Sequence, residues 1–521
     1  MLRENYHREL TELDLLVFEK LVPAQHYLRQ VKAVINFEVF RDQVRDVYSL
    51  TMGRPAEDPV LLLKLEFLEF HYGLSDREVI AEAQVNVAYR YFLDLSLDSS
   101  LPVPSLLSQF RTRLGEERHQ AIFDDVVRQA REHGLVKDRL RLKDASHVVA
   151  NVAIPSTLEL VAQIRQRLLR ALRPYAPQRV AEEEEQAATI RTITADLEDA
   201  QRLYYRVEHL RQIVAWADAL VASWGSGPEQ SDRNRQLLER TLALAHKVLA
   251  DREAPQGKDQ VRSAEDPDAR RGKHGDYYDG YLLDLLMDAE SEIITALETL
   301  PANGDEGADS VHLIEAEEKA HGNHVEELST DGILSARGEV LRELEDPAGP
   351  GLTVYAPPPV PTRDEGLFPA ERFTLDEKGE VLTCPAGEKT SQRAPNSHGT
   401  GWRFQFRRSQ CAACPLLSQC MASLPAKHGR TVIKNDYQAE LDRLKERAQT
   451  ERYAEIRREH PKVERKLAEI IQQHGGRRTR YRGRWRVKIQ YLWLGIVVNI
   501  KRMVKLLLGG PATLRPRGAE P

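Results

Sequence analysis

A change of hydrophobic period divides this chain. Through residue 138 apolar residues recur at helical spacing, most clearly in Pro59 to Tyr72 (PVLLLKLEFLEFHY). From Arg139 to Asn151 (RLRLKDASHVVAN), Leu140 and Leu142 alternate with charges and Asp144 follows, which predicts a half-buried strand ending in a carboxylate. Strand character returns at Tyr277 to Met287 and at Ile293 to Leu300. The turn-prone Asp288-Ala289-Glu290-Ser291 lies between them, so a hairpin is expected. A helix from about Ser310 to His321 and a strand running into Ser329-Thr330-Asp331-Gly332 come next. The order implies a mixed α/β core behind an all-helical N-terminal region.

Within that first region, Gly73-Leu74 reads as a turn and Ser75-Asp76-Arg77-Glu78 as a capping box opening the next helix. Further helices are expected over Pro104 to Leu114 and Glu117 to His133, stopped by Gly134. Helix, turn and helix with Arg111 and Arg113 near the end are compatible with a DNA reader, while an ordinary helical domain is the plainer reading. Thr157 to about Ser223 is helical again, with Glu182 to Glu185 read as a solvated face, and Arg252 to Arg271 reads as loop. Pro347 to Pro361 punctuate a boundary, and Asp436 to Gln473 is helical and highly charged. The units expected are a helical DNA-binding domain (1–138), a core in two parts (139–156 and 262–363) around a helical insertion (157–261), a Cys-containing insertion (364–430), C-terminal core helices (431–508) and a loose tail (509–521).

Charge is unevenly spread. The 521 residues carry a net charge of −6, yet Met421 to Pro521 holds 24 Lys/Arg against 10 Asp/Glu. A basic end on an acidic body suggests a polyanionic partner. Its densest part, Arg477, Arg478, Arg480, Arg482, Arg484, Arg486 and Lys488, interleaves Tyr481 and Trp485, so phosphate contacts and base stacking are expected there. The start, Met1-Leu2-Arg3-Glu4-Asn5, has no apolar h-region, and the apolar run Tyr491 to Leu508 is broken by Asn499, Lys501, Arg502 and Lys505. A cytoplasmic chain with no membrane partner is therefore expected. The four cysteines, Cys384, Cys411, Cys414 and Cys420, include one C-x-x-C pair; they fit either a structural Zn²⁺ site or reduced thiols.

No phosphate loop, G-x-S-x-G elbow or H-E-x-x-H helix is present. The carboxylates are the better lead. Asp144 and Asp331 belong to predicted strands and Glu464 to a charged helix (HPKVERKLAEI). Three acids from separate elements can converge on two divalent cations about 3.5–4 Å apart, the arrangement that activates an attacking oxygen at a phosphodiester. Spacing alone is weak evidence among 80 acidic residues.

The local contexts are more specific. Gly53-Arg54-Pro55, Asp58-Pro59, Tyr72-Gly73-Leu74-Ser75, Phe110-Arg111-x-Arg113-Leu114, Lys143-Asp144-Ala145-Ser146, Asn303-x-Asp305, Thr330-Asp331-Gly332, Val463-Glu464-Arg465 and Asn499-Ile500-Lys501-Arg502 occur in this order. In these blocks the chain resembles the DDE-type transposases of bacterial insertion sequences, the group with an InsH-like N-terminal domain. The resemblance implies an RNase H-like catalytic core in which Asp144, Asp331 and Glu464 hold two Mg²⁺ ions, for which Mn²⁺ substitutes, with Asp305 structural. It implies hydrolysis at the element's ends, then attack of the freed 3′-hydroxyl on target DNA by a homodimer or larger assembly on double-stranded DNA at the nucleoid. The sequence departs from the group's pattern at Ser146, Ile333, His460 and Ile471, and Glu459 rivals Glu464. A catalytically inactive DNA-binding descendant is the alternative.

Overall fold

The centre of the molecule is a six-stranded mixed sheet. The computed structural model describes residue 6 and residues 9–49, 52–53, 55–224, 233–358, 367–396 and 400–509; Arg54, part of the proline-rich boundary and the expected tail after Gly509 lie outside them. The strands are β1 (Leu140–Val149), β2 (Arg270–His274), β3 (Asp276–Asp288), β4 (Ile294–Pro301), β5 (Glu327–Ser329) and β6 (Thr353–Tyr355). β1 lies between β3, to which it is antiparallel, and β5, to which it is parallel. β4 and β2 pair antiparallel with successive lengths of β3, and β6 runs parallel to β5.

The expected hairpin is present, and β3 shows why its sequence is apolar almost throughout. Tyr281, Leu283, Leu285 and Met287 pack toward the N-terminal helices, whereas Leu286 joins Ala296, Val311, Ile314, Leu328 and Leu344 on the other side. Both faces are covered, so alternation is lost. Gly280, opposite Val149, is required: a Cβ there would lie 2.0 Å from the Val148 carbonyl oxygen.

Two local expectations are corrected. β1 does not end at Asp144 but continues to Val149, because β3 supplies partners along its whole length. Arg270 and Arg271, read as the end of a loop, begin β2, which gains its backbone bonds from Arg270↔Gly280 to His274↔Asp276. A basic strand with little apolar content carries no alternation signal, and only its partner creates it.

In the N-terminal region Asp58 caps the Pro59–Tyr72 helix, Gly73 ends it at φ 69°, and Ser75 and Glu78 form the predicted capping box. The two helices expected after Pro104 are both present within Ser105–Glu132, separated at Gly115, whose backbone is not helical (φ 64°, ψ −170°). Helices Thr157–Leu172, Pro177–Ile193, Asp199–Ala222 and Arg233–Glu253 carry a core of their own, including Leu160, Ile164, Leu210, Ile213, Leu238 and Val248.

The apolar C-terminal run is core. Helix Arg484–Leu508 packs against Ser105–Glu132 and β4, with Trp493 fully buried and Gly495 pressed onto Leu297 and Phe123. Buried Asn499 acts as a backbone mimic: its Oδ1 accepts from Ile294 N and its Nδ2 donates to Ile294 O, both at 2.8 Å. Among the described residues no helix is long and apolar enough to cross a membrane.

Candidate active site

Asp144, Asp331 and Glu464 open onto one cleft of about 580 Å³. Asp144 stands in the middle of β1, and its Oδ1 accepts the Ala145 amide at 2.8 Å. Asp331 follows β5, parallel to β1, and caps the turn Gly332–Leu334 by accepting from Ile333 N at 2.9 Å. Glu464 lies on helix Pro461–Ala468, whose Val463 and Leu467 are buried while Glu464 is exposed to the cleft.

Three contacts fix that helix and the end of the helix before it, Glu451–Glu459. His460 Nδ1 lies 3.1 Å from Ser329 Oγ, Arg457 donates to Thr330 O at 2.7 Å, and Lys462 donates to Ala289 O at 2.9 Å. Glu459, the rival third acid, pairs with Lys462 and does not line the cleft. Position 471 is a buried isoleucine in the following turn.

The electrostatics follow from the convergence. Burial first, with the neighbouring charges of Asp331 and Glu464 adding to it, holds the Asp144 carboxyl raised to about 7. The adjacent Lys143 offers little relief, since it is buried against Asp284 at 2.8 Å and donates to Glu306 O at 2.9 Å. Among the described residues no three His, Cys, Asp or Glu side chains close on one point as metal ligands do. The donor set nevertheless fits hard divalent cations: three carboxylates whose mutual repulsion a cation would relieve.

The rim contains residues that sequence reasoning did not single out. His147 stacks on His274 with ring centroids 4.6 Å apart and leans on Tyr278 at 5.2 Å. Lys273, Glu306 and Arg337 line the same cleft. Next to it Tyr277 is 70% exposed, with Arg271 and Lys273 over its ring. The available signal was the cation density of Arg270-Arg271-Gly272-Lys273-His274 just before a predicted hairpin. Asp305 caps helix Glu306–His321 through Gly307 N and Ala308 N and pairs with Arg337.

The arginines expected to face DNA are differently placed. Arg111 is buried, bonded to Glu66, Glu69 and Asp76, with its guanidinium over the Tyr481 ring; this corrects its assignment to a DNA surface. Arg113 is exposed and lies over Tyr48. In the basic stretch Arg477 donates to His147 O, Arg480 to Leu74 O and Arg484 to Thr299 O. Arg482 pairs with Glu265, and Lys488 with Glu298 and Glu116. These groups join the stretch to the rest of the protein, through backbone carbonyls for Arg477, Arg480 and Arg484 and through carboxylates for Arg482 and Lys488. Tyr481 is likewise packed inward rather than offered to a base. Arg478 and Arg486 are exposed and take no carboxylate among the described residues; Arg486 lies over Trp485. The four cysteines border a separate small space.

Two family models match the chain. Residues 16–113 match a transposase domain of the DUF772 family, and residues 383–504 match a transposase DDE domain. Glu464, the basic stretch and the cysteines fall within the second match, whereas Asp144 and Asp331 lie between the two. No curated protein and no solved structure matches the chain. Together the two matches support a DDE-type transposase of insertion-sequence type.

Proposed function

We propose, from these matches at both ends of the chain, that the protein binds the ends of its insertion sequence, hydrolyses the DNA strand there and joins the freed 3′-hydroxyl to target DNA. One observation carries the reading: three carboxylates from β1, the turn after β5 and a C-terminal helix share a single cleft. The strand order, with antiparallel β3 and β4 on one side of β1 and parallel β5 and β6 on the other, supports an RNase H-like core.

Asp144, Asp331 and Glu464 would hold a pair of Mg²⁺ ions, or Mn²⁺ in their place. When bound, such ions supply activation of the attacking oxygen and stabilisation of the leaving one. The protein's own groups do the positioning. Lys273, His274 and Arg337 offer cations to phosphates at the rim, and exposed Tyr277 offers a ring to an unpaired base. Arg113, Arg478, Arg486 and Trp485 extend this surface by non-specific contact. Both displacements are in-line and need no covalent protein intermediate. Bringing two ends together calls for a homodimer or larger assembly on DNA, in the cytoplasm at the nucleoid.

The test is a strand-transfer assay with labelled DNA carrying the element's own ends, target plasmid and Mg²⁺. Joined products that disappear in Asp144→Asn are expected. Nicking without joining would reduce the protein to a nuclease. Binding without nicking, in Mn²⁺ as well, would leave a DNA-binding protein only.

A further inference from the structure

Residues 367–434 form a piece with very little to hold it together. Its strands are two to four residues long, arranged as two three-stranded sheets. Its buried core is Phe373, Leu382, Phe404, Phe406 and Val432. So small an apolar cluster does not ordinarily offset the entropy of ordering a segment of this length, and natural domains of this kind are stapled by disulfides or a metal. No disulfide is present: Cys384, Cys411, Cys414 and Cys420 are free thiols, all partly buried.

All four thiols face one small space, of about 30 Å³, between Phe373, Phe406 and Leu417. Tight turns present them: Gly387 N donates to Cys384 O at 2.8 Å and Cys384 N to Glu388 O at 2.9 Å, with Gly387 at φ 85°. Cys414 N donates to Cys411 O at 3.2 Å within the C-x-x-C turn. The backbone closes over one sulfur as well. Arg430 N donates to Cys411 Sγ at 3.3 Å, a bond that favours thiolate, and a Cβ at Gly429 would lie 2.5 Å from the same sulfur. Four thiols on tight turns bordering one small space offer the sulfur set that tetrahedral Zn²⁺ prefers, and Zn²⁺ would take them as thiolates.

We propose that Cys384, Cys411, Cys414 and Cys420 bind one structural Zn²⁺ that holds residues 367–434 folded. The sulfurs do not already close on a point among the described residues; ion binding draws them together. The inference rests on the cysteine segment alone and is independent of the transposase reading.

The experiment uses the full chain, purified under reducing conditions after growth with zinc. Elemental analysis should find about one zinc per chain. An organomercurial should release it as the four thiols react, and Co²⁺ exchange should give the visible absorption of a tetrahedral thiolate site. Cys411→Ser/Cys414→Ser should lose the metal, and proteolysis should then cut first within residues 367–434. Sub-stoichiometric zinc with four freely reactive thiols would overturn the proposal. So would disulfides in the freshly isolated protein, or zinc retained in the double variant. The cobalt spectrum is read on the unmodified chain, so misfolding of the variant does not shelter the proposal.

Discussion

His460 Nδ1 and Ser329 Oγ lie 3.1 Å apart, and both residues are buried. This contact ties the helix bearing Glu464 to the strand that leads into Asp331. The buried His460 ring thus joins the two elements, while Arg457, one helical turn earlier, bonds Thr330 O. Convergence of the second and third acids depends on this seam.

His460→Ala should therefore destabilise the fold by about 1–3 kcal/mol, the scale for leaving a buried partner unpaired. It should also slow DNA cleavage more than it weakens DNA binding. Urea denaturation and single-turnover cleavage measure the two effects. An unchanged cleavage rate in a destabilised variant would show that the seam does not govern the acids.

Arg111 and the exposed pair Arg478 and Arg486 should behave oppositely. Arg111→Ala leaves Glu66, Glu69 and Asp76 without their shared cation, and breaking such a buried group costs about 3–5 kcal/mol. Arg478→Ala/Arg486→Ala should leave the melting temperature nearly unchanged. DNA affinity should fall, and the salt dependence of binding should lose about 0.9 per phosphate contact removed. Binding across a salt series together with thermal melting separates the cases.

The sequence displayed β1, the β3–β4 hairpin, β5 and the capping box because each has a local period or a local bond. That Asp144 belongs to a strand and Glu464 to a charged helix was legible for the same reason, although the strand expected to end at Asp144 runs on to Val149. The roles of Arg111 and the 477–488 cations were not, since the carboxylates that hold them come from residues such as Glu69, Glu265 and Glu298, far away in the chain. β2 escaped notice because it exists only against β3. A helix end is announced by its own residues, whereas an ion pair is announced by its partner.

Acid should weaken the fold through His474. Burial, together with Lys501 Nζ 3.1 Å from its Nε2, lowers its pKa to about 4. Unfolded, the ring titrates near the ordinary value of 6.5. Between these values the unfolded chain binds the extra proton, so stability falls as pH drops from about 6.5 toward 4. Asp144 and Glu69, raised in the folded state to about 7 and about 8, act in the opposite sense. The difference between wild type and His474→Gln isolates the histidine. The variant should lose less stability between pH 7 and pH 5, by up to about 2 kcal/mol.

The central claim is that Asp144, Asp331 and Glu464 act as one unit, and the most direct measurement is the cleavage rate of end-bearing DNA in Mg²⁺ across their amide variants. Asp144→Asn, Asp331→Asn and Glu464→Gln should each lower the rate by about 10²–10³ or more while DNA binding persists. Pairs of these changes should add little beyond the singles, and Glu459→Gln should cleave normally. Retained cleavage in Glu464→Gln with its loss in Glu459→Gln would contradict this account of the site.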